Sequence, residues 1–167
     1  SNTIFENCTI SDNSAGGNGG GVNYWGGSWP EFYGCVIENN SAAAEGGGVY
    51  VHSDAAGLTM ERCLVANNSA GAYTGGISAG GGWGAGPSTI TNCTVVGNSG
   101  QVGAVEVWGG ATVVVQNSIL WDNSPDNFED YDQGSGFVYY SNVGGGHDGE
   151  GNIDADPLFT NENSGGK

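Results

Sequence analysis

The chain has 167 residues and a formal net charge of −16, from 18 acidic and only 2 basic side chains. Two cations cannot neutralise a phosphate backbone, so no nucleic-acid partner is expected, and an anionic bilayer surface would repel the chain. Glycine fills 34 positions, about 20% against a usual share near 7%. That argues against a helical bundle, and no apolar run approaches the roughly 18 residues of a membrane span.

Five segments repeat along the chain: NCTISDNS from Asn7, GCVIENNS from Gly34, RCLVANNS from Arg62, NCTVVGNS from Asn92 and NSILWDNS from Asn117. Aligned on Cys8, Cys35, Cys63, Cys93 and Ser118, they step by 27, 28, 30 and 25 residues. Two positions on stands an aliphatic residue: Ile10, Ile37, Val65, Val95, Leu120. Three positions back stands a large apolar one: Phe5, Phe32, Met60, Ile90, Val115. Five positions on is Asn13, Asn40, Asn68, Asn98 or Asn123, followed each time by Ser. Within each period a second strand recurs as GGGVNYW, GGGVYVH, TGGISAG and VGAVEVW, anchored by Val22, Val49, Ile77 and Val105. A weaker sixth copy, FVYYSNVGGG, puts Val138, Ser141 and Val143 in the first set of columns.

Short strands recurring every 25 to 30 residues with turn residues between them define a β-solenoid. Coils would stack at about 4.8 Å, so like residues lie over like, and six coils make a rod of roughly 30 Å. The expected fold is an all-β, right-handed parallel β-helix of five to six coils over residues 1–145, then an acidic, Gly-rich closing segment, 146–167. Phe, Cys and Ile or Val would fill the core. The Asn column would accept the left-handed turn conformation and hydrogen-bond from coil to coil. Glycine triplets would form a corner where no Cβ fits. For the Cys column two readings stand. One is disulfides between adjacent coils, Cys8 with Cys35 and Cys63 with Cys93; the favoured one is free buried thiols packed as small hydrophobes, since Ser118 shares the column.

The xCxIxxNNS and GGGV motifs resemble those of right-handed parallel β-helix repeat proteins of microbial surfaces. GNIDADPLF, residues 151–159, looks like the closing segment of large secreted, often cell-wall-anchored members. The resemblance implies the fold and an extracellular or cell-surface setting, and not one function, because lyases, hydrolases, adhesins and structural fibres share this architecture.

Family lyases resemble one another in using a basic side chain, with Ca²⁺ on acidic residues. Here the only basic side chains are Arg62, expected on the coil surface, and the terminal Lys167. Hydrolysis needs paired carboxylates, and Glu106 is alone on its strand, so a polysaccharide lyase or hydrolase ranks third and no catalytic residue is assigned. The late acidic group Asp122, Asp126, Glu129, Asp130 and Asp132 has hard oxygen ligands that suit Ca²⁺, as does Asp148, Glu150, Asp154 and Asp156; the bland alternative is a solvated acidic loop. No other cofactor is implied.

The outward aromatics are the candidate binding face. Alternation puts Trp25, His52, Gly80 and Trp108 in one outer column, with Tyr50 beside Asn23, Ser78 and Glu106. Exposed Trp and Tyr on a flat sheet stack on sugar rings or bury in a partner. Loops 26–30 and 80–86 folding over them is the alternative. Triplets such as Asn7-Cys8-Thr9 and Asn39-Asn40-Ser41 fit the N-glycosylation pattern, read here as a by-product of the turns, with some of these Asn facing inward.

The chain opens at Ser1 without Met, consistent with a removed leader or a piece of something longer. Phe5 is core within five residues, and neither end shows a cap helix. Exposed coil edges need covering, so the leading expectation is a structural or adhesive solenoid whose copies stack head to tail into a filament. A glycan-binding adhesin segment is the runner-up.

Overall fold

The computed structural model describes residues 2–27, 29–52, 54, 57–82 and 86–160. Lys167 and the end of the closing segment lie outside the described residues, as do parts of loops 26–30 and 80–86. The chain winds as a parallel β-solenoid with three faces. The first carries Thr3–Glu6, Pro30–Tyr33, Thr59–Glu61, Ser88–Thr91, Thr112–Gln116 and Ser135–Tyr139. The second carries Thr9–Ser11, Val36–Glu38, Leu64–Ala66, Thr94–Val96, Ile119–Trp121 and Asn142–Val143. The third carries Val22–Tyr24, Val49–Val51, Ile77–Gly80, Val105–Trp108 and Phe128–Asp130. Ser14–Ala15, Ser41–Ala42 and Ser69–Ala70 form a narrow sheet at the corner between the second and third faces. Five coils visit all three faces, and the sixth visits two.

Registry follows the repeat. On the first face Phe5, Phe32, Met60, Ile90, Val115 and Val138 lie opposite one another. On the second, Ile10, Ile37, Val65, Val95, Leu120 and Val143 do so. On the third, Val22, Val49, Ile77, Val105 and Phe128 do. Phe128 is a fifth member that no glycine triplet announces. These columns meet in one apolar core, with Phe5 stacked on Phe32 at 4.6 Å between ring centroids.

Two columns do more than the sequence suggests. Asn40, Asn68, Asn98 and Asn123 are buried and form a continuous ladder. Asn98 Oδ1 accepts the backbone N–H and the Nδ2–H of Asn68, both at 2.9 Å. Asn68 Nδ2 also donates to Ile37 O at 2.9 Å. All the polar capacity of these amides is used, which is what burial demands. Their backbone is not left-handed, contrary to expectation. The left-handed residues directly precede them: Asp12 (φ 58), Asn39 (φ 56), Asn67 (φ 54) and Asp122 (φ 53), with Gly97 (φ 67). A matching turn row lies just before the cysteines: Asn7, Arg62, Asn92 and Asn117, with Gly34. Asn tolerates αL because its short polar side chain costs little there. One Asn in each NN pair therefore turns the chain, and the next bonds the coils.

The cysteines are free; Cys35, Cys63 and Cys93 are buried and Cys8 half-buried. They act as acceptors as well as small apolar groups. Cys93 Sγ accepts Cys63 N–H at 3.4 Å, Ser118 Oγ accepts Cys93 N–H at 3.1 Å, and Ser141 Oγ accepts Ser118 N–H at 3.1 Å. Serine shares the column because the position needs a small acceptor. The glycine corner follows the steric expectation: a Cβ on Gly75 would lie 2.2 Å from Ser99 O.

After the last coil the chain folds back over its first and second faces, with no helix among the described residues. Ser141 N–H donates to Asn152 Oδ1 at 3.0 Å, extending the Cys and Ser column by one step. Val143 N–H donates to Ile153 O, and Ile153 N–H to Ser141 O, both at 2.9 Å. Residues 149–153 thus occupy the first- and second-face part of the edge that the sequence analysis left open.

Candidate functional site

The third face positions the site. Its strands alternate, so Val22, Val49, Ile77 and Val105 point into the core while Asn23, Tyr50, Ser78, Glu106 and Glu129 stand in one outward row. The next outward row runs Trp25, His52, Gly80 and Trp108. One more coil of the same register brings Tyr131 beside Trp108, since Asp130 pairs with Val107.

The expected binding residues meet in one aromatic group. Trp25 stacks on His52 at 3.8 Å and 12°. His52 meets Trp108 edge-on at 6.2 Å, and Tyr50 lies nearly parallel to Trp108 at 6.1 Å. Trp108 can lie flat because Gly80 has no side chain; a Cβ there would meet the indole at 2.7 Å. Its Nε1–H donates to Ser78 Oγ at 3.0 Å. Asp54 N–H donates to His52 Nδ1 at 3.2 Å, steadying the ring under Trp25. Trp25 is 60% exposed, so the described parts of the loops leave it open. Tyr50 corrects the expectation of an exposed ring: it is 4% exposed, walled in by its neighbours, and forms the floor of the site rather than its platform.

Beside this group lies a cleft of about 170 Å³ lined by Glu45, Tyr73, Glu106, Trp108 and Tyr131. A second hollow of about 220 Å³ shares Tyr73, Glu106 and Tyr131 and adds Gln101, Val102 and Glu129. Glu106 is not alone, as its strand suggested: Glu129 follows it on the next coil and Glu45 reaches the same cleft. Thr74 Oγ1–H donates to Glu106 Oε2 at 2.5 Å. Burial raises the Glu106 carboxyl above its ordinary range, the Thr74 hydrogen bond opposes this, and the Glu129 charge adds to the rise. Burial, then the Glu106 charge, raises Glu45 in the same direction. Burial and then the Glu45 charge raise the Tyr50 phenol. In all three groups burial is the main cause, and a neighbouring carboxylate adds to it.

Glu45, Tyr73 and Tyr131 were missed. Glu45 and Tyr73 stand four residues before Val49 and Ile77, a position filled by Asn18 and Gln101 in the other copies. That variable column could have been read from the alignment. Tyr131 needed the Phe128 copy to be recognised first.

The acidic loop residues do not converge. Asp122 borders a groove of about 580 Å³ with Trp121, Asp156 and Leu158 along the second face. Asp126 borders a separate hollow with Phe128 and His147, and Glu129 faces the aromatic cleft. Asp130 and Asp132 are exposed beyond it. A coil of this length carries sequence neighbours to different faces. Among the described residues no three His, Cys, Asp or Glu side chains gather into a metal-holding group. Asp148, Glu150, Asp154 and Asp156 are likewise exposed, and Asp154 and Asp156 accept N–H groups of Gly145 and Leu158. Asn7 and Asn39, the glycosylation-type asparagines, are both exposed at left-handed turns; neither faces inward.

Fold and site together define a parallel β-solenoid with an aromatic and acidic cleft on one outer face. Residues 1–120 match the model of the right-handed β-helix region family, and the chain belongs to that family. Searches of curated proteins and of solved structures returned no match.

Proposed function

We propose that this solenoid binds carbohydrate along its third face, in an adhesive role at a cell exterior. The observation that carries this reading is the open Trp25–His52 platform beside a cleft walled by Trp108, Tyr73 and Tyr131. Pyranose rings present apolar C–H faces to indole and phenol rings, and hydroxyls to carboxylates, so the arrangement offers both kinds of contact. A sugar chain crossing successive coils would meet a new outward residue about every 4.8 Å. Titration with oligosaccharides of increasing length, read by tryptophan fluorescence, tests it. Affinity should rise with length and collapse in Trp25→Ala; absence of any signal for every sugar overturns it.

End-to-end stacking needs two open edges. Residues 149–153 bond to the first and second faces of the last coil, where a stacked copy would have to displace them, so we favour the lateral face over the ends. A second reading, hydrolysis of the bound chain, draws on Glu45 and Glu106: two carboxyls raised in one aromatic cleft are the raw material of acid–base catalysis. Release of reducing ends from a bound polysaccharide, lost in Glu106→Gln, is its test.

A further inference from the structure

The cleft has an electrostatic gap. Glu45 and Glu106 line it, Glu129 lines the adjoining hollow, and among the described residues neither lining includes a Lys, Arg or His side chain. The chain has only two basic side chains, and Arg62 sits on a distant turn against Glu61. Glu106 is buried, at 3% exposure, and its partners within the fold, the Thr74 and Ser78 hydroxyls, are both neutral. A buried carboxylate without a counter-charge is costly. A neutral ligand laid over the cleft could hydrogen-bond to these carboxylates but would bring no opposite charge to them.

The walls point the same way. Tyr73, Trp108 and Tyr131 line the cleft with aromatic rings, and the quadrupole of such a ring attracts a cation placed over it, more strongly where water is excluded. The volume of about 170 Å³ is below the roughly 300–1,000 Å³ of drug-sized pockets, and is on the scale of one sugar residue.

We propose that the Glu45–Glu106 cleft, walled by Tyr73, Trp108 and Tyr131, is a subsite for a protonated amine, and that its ligand is an amino sugar with a free amino group, as in a glucosamine oligomer. The sugar part rests on the carbohydrate-binding reading above; the ammonium part rests on the cleft alone. In the bound state the ammonium would sit between the carboxylates and the ring faces, with the adjoining sugar rings running toward the Trp25–His52 platform.

The test is a tryptophan-fluorescence titration of the full chain with four probes: glucosamine oligomers, their N-acetylated counterparts, glucose oligomers and an acyclic diamine. The expected result is at least tenfold tighter binding of the free-amine oligomer than of the acetylated one. Glu106→Gln should erase that preference, Asp148→Asn, on the exposed cap, should preserve it, and Trp25→Ala should weaken all the sugars alike. Equal affinity for the free-amine and acetylated oligomers overturns the ammonium subsite and leaves carbohydrate binding standing. Equal loss in Glu106→Gln and Asp148→Asn also overturns the subsite, because attraction to overall charge would then explain the preference. An acyclic diamine binding as tightly as the oligomer overturns the sugar reading and retains the cation site. No binding of any probe overturns both.

Discussion

The inner columns and the outer row of the third face are built on the same backbone and obey opposite rules. Inside, every coil repeats its neighbour: Asn over Asn, aliphatic over aliphatic, Cys or Ser over Cys or Ser. Outside, one row reads Asn23, Tyr50, Ser78, Glu106, Glu129, and the next reads Trp25, His52, Gly80, Trp108, Tyr131. The inner columns repeat because each amide or hydroxyl is the partner of the one below, so no coil can change alone. The outer row is released from that constraint. Its differences place one large ring over a glycine and one carboxylate beside a phenol. In a solenoid, identity between coils marks what holds the rod together, and departure from it on an outward face marks where a ligand can be read.

The sharpest way to break this comparison is to remove one rung. Asn68→Ala strips the acceptor from Asn40 N–H and Nδ2–H, removes the amide donor from Ile37 O, and leaves Asn98 Oδ1 with only the backbone N–H of residue 68. Several buried groups at about 1–3 kcal/mol each predict a loss of about 3 kcal/mol or more, measured by urea unfolding. A loss below about 1 kcal/mol would mean the ladder is not what holds the coils.

The cysteine column gives a finer test. Cys93→Ala leaves Cys63 N–H without its acceptor, whereas Cys93→Ser restores the bonding seen at Ser118. The alanine variant should lose about 1–2 kcal/mol, and the serine variant less. The reverse order would return the column to simple apolar packing.

On the outer face the sign reverses. Glu106 has a carboxyl raised in the fold, so its contribution is favourable at pH values below its unfolded pKa and is lost as pH climbs through the folded one. Ionising the buried group is what costs stability. Glu106→Gln should therefore stabilise the protein at pH 7 relative to acid, and the gain should vanish in acid. Thermal unfolding at both pH values decides it; a destabilised variant at pH 7 would show that the charge is compensated within the fold.

The smallest stability effect belongs to Trp25→Ala. Its ring is 60% exposed and makes its described contact with His52, so unfolding should shift by no more than about 0.5 kcal/mol. Sugar affinity should fall sharply in the same variant. A large loss of stability would move Trp25 from the binding face into the structural inventory.

Much of this was legible in the residues. Cys8 to Ser118 and Asn13 to Asn123 gave the coil and its register because a stacked column forces the same residue type to recur. Trp25, His52 and Trp108 were found from strand alternation. Tyr50 was placed on the right face with the wrong exposure, since alternation reports direction and cannot report what closes over a side chain. The acidic loop spreads out because nearness in sequence is not nearness in a coil: Asp122 and Glu129 are seven residues apart and face different sides. The division of labour in the NN pairs was likewise invisible, as both residues read as turn formers.

By itself the sequence determined the architecture, because a parallel stack writes each inward contact once per coil and periodicity alone recovers it. Only the tertiary structure decided the site. Glu45, Tyr73, Glu106, Trp108 and Tyr131 come from four different coils, and their meeting depends on lateral packing and the space above Gly80. The same is true of the closed end, where Asn152 completes a column from outside the repeat. Contacts that recur leave a period in the sequence; contacts made once leave none.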